Sequence, residues 1–102
     1  MSKDKVKKIV CSYAAELKKS NFPFASIFWF GSTAKGLANK FSDIDVAIFS
    51  DKLRRFENSS ALWMAGSNVD GRIEPHGFTV ADFNDKNNPM VNEIKKTGIR
   101  IV

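Results

Sequence analysis

The stretch FGSTAKGLANKFSDIDVAIF, from Phe30 through Phe49, decides how this chain is read. It carries an aromatic run into a Gly-Ser turn, crosses a short polar segment, and ends in a strand with two aspartates one residue apart. DIDVAIF alternates with period two, so Asp43, Asp45 and Ala47 fall on one face and Ile44, Val46 and Ile48 on the other. The two carboxylates therefore point the same way. Left charged and unpaired they repel, and a shared divalent cation removes that penalty. Magnesium takes oxygen ligands and binds through one or two carboxylates plus substrate phosphates, so the pair suits it better than zinc. Upstream, Gly31 lets a phosphate approach the backbone with no side chain in the way. Ser32 adds a hydroxyl at the start of an expected short helix, STAKGLA, whose free N–H groups favour anions. Each half is common by chance. Together, a phosphate cradle at the end of one strand and a metal clamp on the next are what a nucleoside triphosphate with its metal needs.

The flanking segments supply a framework. Val6, Ile9, Val10, Tyr13, Ala14 and Leu17 recur at helical spacing and predict an amphipathic helix over residues 3 to 19, ended by Asn21 and Pro23. FASIFWF, Phe24 to Phe30, is nearly all apolar and reads as a central strand covered on both faces. Asn39 to Ser42 reads as a polar turn. A third helix is expected from Ser50, using Leu53, Phe56, Ser60, Trp63 and Met64, with Trp29 and Trp63 in the core. RIE reads as a short strand closed by Pro75, and HGFTVADFNDKN as an irregular surface loop that makes His76 a loop residue. Asn88 before Pro89 caps a last helix through about Lys96. Thr97-Gly98 stops it, and IRIV adds an edge strand.

With 102 residues, 43% of them hydrophobic, the chain fits one domain, residues 1–102, with a modest core. It has no apolar run of about 18 residues and no signal-peptide pattern, which predicts no membrane association and a cytoplasmic location. The single cysteine, Cys11, excludes an internal disulfide and is expected as a small apolar residue of the first helix. A formal charge of +5 suits an anionic partner without naming it. Direct nucleic-acid binding has no helix-turn-helix, zinc or RNP-like pattern behind it.

The run G-S-T-A-K-G-L-A-N-K-F-S-D-I-D-V-A-I resembles the signature of the nucleotidyltransferase superfamily, G-S followed after about ten residues by D-x-D. It is similar in particular to the minimal MNT-type antitoxin domains. Many members carry arginines in the G-S-x-A-x-G segment, where this chain has Thr33 and Lys35. The resemblance implies an α/β (α+β) fold, a short mixed β-sheet flanked by helices. It implies a catalytic, metal-binding set of Asp43, Asp45 and a third carboxylate, for which Glu74 in RIEP stands at a fitting distance. Nucleotide contacts then fall to Gly31, Ser32 and Lys35, with two magnesium ions and ATP as the donor. Larger relatives carry a helical domain that recognises the acceptor, and these residues hold none. The resemblance therefore implies an acceptor on a partner, a tyrosine of a HEPN-type toxin, which the domain adenylylates as an antitoxin. A non-catalytic nucleotide- or protein-binding antitoxin module is the alternative. Homo- or hetero-oligomer formation and the roles of Arg72 and His76 stay open.

Overall fold

The computed structural model describes residues 2–36, 42–54 and 59–102. Helix α1 runs over Lys3–Lys19 and buries Val6, Val10, Tyr13, Ala14 and Leu17, the stripe its sequence spacing predicts. Ser2 caps it by accepting from the Lys5 N–H, and Asp4 at its start with Lys18 and Lys19 at its end complement the helix dipole. At its C-terminus Asn21 takes a left-handed φ of 58°, while the Phe22 N–H donates to the Leu17 carbonyl at 3.0 Å. That pairing is the motif by which left-handed residues close helices.

Strands β1 (Ser26–Phe30), β2 (Ile44–Phe49), β3 (Ile73–Phe78) and β4 (Ile99–Arg100) form one mixed sheet in the order β3-β2-β1-β4. β1 is antiparallel to both β2 and β4, and β2 is parallel to β3. A parallel pair needs a crossover, and helix α2 (Ser59–Val69) lies in that connection. One sheet face, with Ile27, Trp29, Ile44, Val46, Ile48 and Ile73, packs against α1 and against Leu62 and Ala65 of α2. The Tyr13 hydroxyl, on α1, donates to the Leu62 carbonyl at 3.0 Å, and burial pushes its pKa up, so it stays a neutral donor. The opposite face carries Phe28, Ala47 and Phe49 beneath Val91 and Ile94. Those two belong to helix α4 (Pro89–Thr97), capped as expected by Asn88. The short helix α3 (Val80–Phe83) opens with a capping box between Thr79 and Asp82.

Several expectations are corrected. Of the segment expected as the helix STAKGLA, residues 32–36 form a turn, and the rest of it, with residues 39–41 of the expected polar turn, lies outside the described residues. The helix expected from Ser50 is split: a 3-10 turn at Asp51–Arg54 precedes α2, and Phe56 lies outside the described residues. α2 buries Leu62, Ala65 and Gly66, leaving Trp63 51% exposed and outside the core. The expected stripe, Ser60, Trp63 and Met64, has the same period but the wrong phase. Small residues face inward because α2 lies close to the sheet: a Cβ on Gly66 would sit 3.3 Å from Ile73 Cγ2. Cys11 is exposed on α1. β3 does not close at Pro75 but continues through His76 to Phe78. It is an edge strand, and the Arg72 and Phe78 carbonyls accept from the N–H groups of Ile44, at the start of β2, and Ser50, just past its end, so the backbone groups at even positions turn toward β2. Pro75 therefore has its missing N–H on the free edge, where no ladder bond is lost.

Candidate metal and nucleotide site

The site forms where the C-terminal end of β1 meets the N-terminal ends of β2 and β3. The antiparallel register sets Phe30 opposite Asp45, and the parallel register sets Glu74 beside Asp45. Both carboxylates thus share the sheet face of Phe28, Ala47 and Phe49. His76 is the register partner of Ala47, whose small side chain leaves the imidazole room to lean back toward the carboxylates. Its Nε2 lies 3.1 Å from Asp45 Oδ1 and 3.9 Å from Glu74 Oε1. The Phe30 ring packs against the imidazole at a centroid distance of 5.2 Å and an angle of 61°.

Among the described residues, Asp45, Glu74 and His76 each bring one ligand atom within 4.8 Å of the others'. Asp43 is exposed, one residue before β2, and stands outside that group, although its carboxylate acts on Glu74. The Glu74 carboxyl is held above the ordinary glutamate range, first by desolvation, then by the charge of Asp45, with Asp43 adding to the rise and His76 opposing it. Carboxylates crowded in this way are what a hard divalent cation relieves. The oxygen donors of Asp45 and Glu74 suit a hard divalent cation, and their side chains are 25% and 40% exposed.

Gly31 sits against Asp45 rather than simply ending β1. Its φ is +82°, and a Cβ there would clash with Asp45 Oδ2 and lie 3.2 Å from Asp45 Cγ. Glycine is thus required twice, by backbone conformation and by the room that the carboxylate takes. The turn is tied to the core by Thr33, whose buried hydroxyl accepts from the Trp29 indole N–H at 2.8 Å. Ser32 and Lys35 are exposed on the turn, and the Lys35 N–H donates to the Gly31 carbonyl at 3.2 Å. Arg72, whose role the sequence leaves open, is held by Asp70: its Nε and one terminal nitrogen meet the two carboxylate oxygens at 3.0 and 2.6 Å.

Sequence reasoning favoured a loop residue for His76 while leaving its role open, and it missed Thr33 as part of this site. The signal for His76 was present in the period of the strand. It stands two positions after Glu74 and so shares its face, once β3 is allowed to run through Pro75. Thr33 had no comparable signal, because its partner is a buried indole on the preceding strand.

The model of the nucleotidyltransferase domain family matches residues 4–98, and the chain belongs to that family. A crystal structure from Sulfolobus solfataricus, described as that of a "putative nucleotidyltransferase", matches with a TM-score of 0.66 at 15% identity, over 96% of this chain and 80% of that one. An identity so low speaks for the fold alone, which is the mixed sheet with flanking helices that the resemblance implied. None of the curated proteins compared with the chain matches it. Among the described residues, no helix is long and apolar enough to cross a membrane.

Proposed function

We propose that this domain is a magnesium-dependent nucleotidyltransferase that transfers AMP from ATP to a tyrosine hydroxyl of a HEPN-type toxin and so acts as its antitoxin. The observation that carries the transfer reading is the convergence of Gly31, Asp45 and Glu74 at one sheet end in a chain of this family. What supports the toxin as acceptor is the resemblance of the G-S…D-x-D segment to MNT-type antitoxins.

Asp43, Asp45 and Glu74 are the residues that would hold the metal. When bound, magnesium lowers the pKa of an attacking hydroxyl and stabilises the charge that builds on the leaving pyrophosphate. The triphosphate lies against the turn of Gly31 and Ser32, where Lys35 faces solvent beside it. Glu74 is the group we assign to take the acceptor's proton. The acceptor oxygen bonds to the α-phosphorus, the bond from that phosphorus to the bridging oxygen breaks, and pyrophosphate leaves. Orientation and charge stabilisation carry most of the rate, as in other phosphoryl transfers.

Calorimetric titration with ATP, with and without magnesium, tests the site. Magnesium-dependent binding in the wild type that disappears in the Asp43→Ala, Asp45→Ala double variant is expected. Binding that ignores magnesium, or that survives in the double variant, overturns the metal-nucleotide reading. Transfer of label from α-labelled ATP to a co-expressed HEPN-type protein then tests the acceptor. Tight association without label favours the non-catalytic binding module.

A further inference from the structure

We propose that His76 is a direct ligand of the cation at this site and that it tilts the preference of the site from magnesium toward first-row transition ions. The inference rests on the reading of Asp45 and Glu74 as metal ligands, and extends it to a nitrogen donor that an all-carboxylate site lacks.

The separations of His76 from both carboxylates fit a shared coordination sphere. In an octahedral shell with bonds of about 2.1 Å, neighbouring ligand atoms lie about 3.0 Å apart and opposite ones about 4.2 Å apart. His76 Nε2 is 3.1 Å from Asp45 Oδ1 and 3.9 Å from Glu74 Oε1, so both separations fall within that range. The three residues come from adjacent, hydrogen-bonded strands in fixed register, which leaves little freedom for the imidazole to move out of the sphere. Phe30, packed against the ring at 5.2 Å, restricts it further. Ala47 beneath it is fully buried and too small to push it away.

The chemistry follows from the donor. Magnesium takes oxygen and gains little from an imidazole, whereas first-row transition ions accept a neutral ring nitrogen readily. Carboxylates joined by one histidine therefore still admit magnesium but bind manganese or cobalt more tightly than carboxylates alone would. The competing account of the same 3.1 Å contact is a hydrogen bond from His76 to Asp45, which would only position the carboxylate. Such a contact would strengthen every cation alike.

Manganese separates the two, because its electron-spin-echo spectrum reports nitrogen bound directly to the ion. His76 is the only histidine in the chain, so in untagged protein an imidazole signal has a single source. The expected result is imidazole-nitrogen modulation in the wild-type manganese complex that disappears in His76→Gln. Manganese affinity should fall about tenfold or more in that variant while magnesium affinity changes by less than about threefold. Absence of nitrogen modulation in the wild type overturns the proposal, as does an equal loss of affinity for both ions in His76→Gln. Failure of the wild type to bind manganese, or binding unaffected by Asp45→Asn, overturns the metal-site reading and this inference with it. The wild-type spectrum decides the matter even if the His76 variant folds poorly.

Discussion

One face of the sheet holds two opposite environments within the length of a short strand. At one end of β2, Phe49 is fully buried, with the rings of Phe28 and Phe83 edge-on at 5.9 and 5.0 Å and Phe78 stacked at 5.3 Å. At the other end, Asp45 stands half-buried among Glu74, His76 and the backbone of Gly31. Helices α3 and α4 cover the first end. The second has charged groups held close together by the register of the strands. Side chains at the aromatic end gain free energy from contact, while those at the acidic end lose some by being near one another. The difference teaches where the domain's stability resides and where its chemistry does.

The sharpest test of that contrast pairs Asp45→Ala with Phe49→Ala. Losing Asp45 should lower the transfer rate by several orders of magnitude and leave the melting temperature of the metal-free protein unchanged or raised, because a repulsion is removed. Losing Phe49 should cost about 3–5 kcal/mol in denaturant unfolding, and any effect on metal affinity should follow from unfolding alone. A large stability loss in Asp45→Ala would show that the pair is structural and dissolve the comparison.

Gly31→Ala probes the boundary between the two environments. The new Cβ meets the Asp45 carboxylate on a backbone already at φ +82°, so stability should fall by about 1–2 kcal/mol and metal affinity should fall with it. In the Asp45→Ala background the stability cost should shrink, which a double-mutant cycle reads directly. Equal costs in both backgrounds would leave only the backbone term.

The smallest effect concerns pH. Because the Glu74 carboxyl is raised in the folded chain, the folded state holds that proton more tightly than the unfolded one does. Its contribution to stability is fully present below the ordinary glutamate value and is lost as pH rises through the raised folded value. Metal-free Glu74→Gln should therefore be slightly more stable than wild type at neutral pH, and thermal melts in an acidifying series should show that advantage vanish. An advantage that grows on acidification would reverse the sign and remove the crowding of carboxylates.

Much of the framework was legible in the residues. The spacing in α1, the Asn88-Pro89 start of α4 and the alternation of DIDVAIF are local signals, and each appears where the sequence placed it. The errors share a cause as well. Trp63 and Met64 form an apolar stripe on α2 with helical period, but so do Leu62, Ala65, Gly66 and Val69, one residue out of phase. Only close packing against Ile73 selects the stripe with small residues. Pro75 reads as the end of a strand unless β3 is known to lie at the edge. The same proline concealed His76, by making the residue after it look like loop.

By itself, then, the sequence determined the elements with clear periodicity, the strand that carries Asp45, and the Gly-Ser turn that carries the family resemblance. Those depend on repeats of two or 3.6 residues, which act over a few neighbouring positions. Tertiary structure alone decided that Glu74 lies beside Asp45, that His76 reaches back over Ala47, and that Gly31 makes room for a carboxylate. These are contacts between segments far apart in the chain. They follow from the parallel register of β2 and β3 and from the phase of the crossover helix, which packing sets and no local pattern encodes.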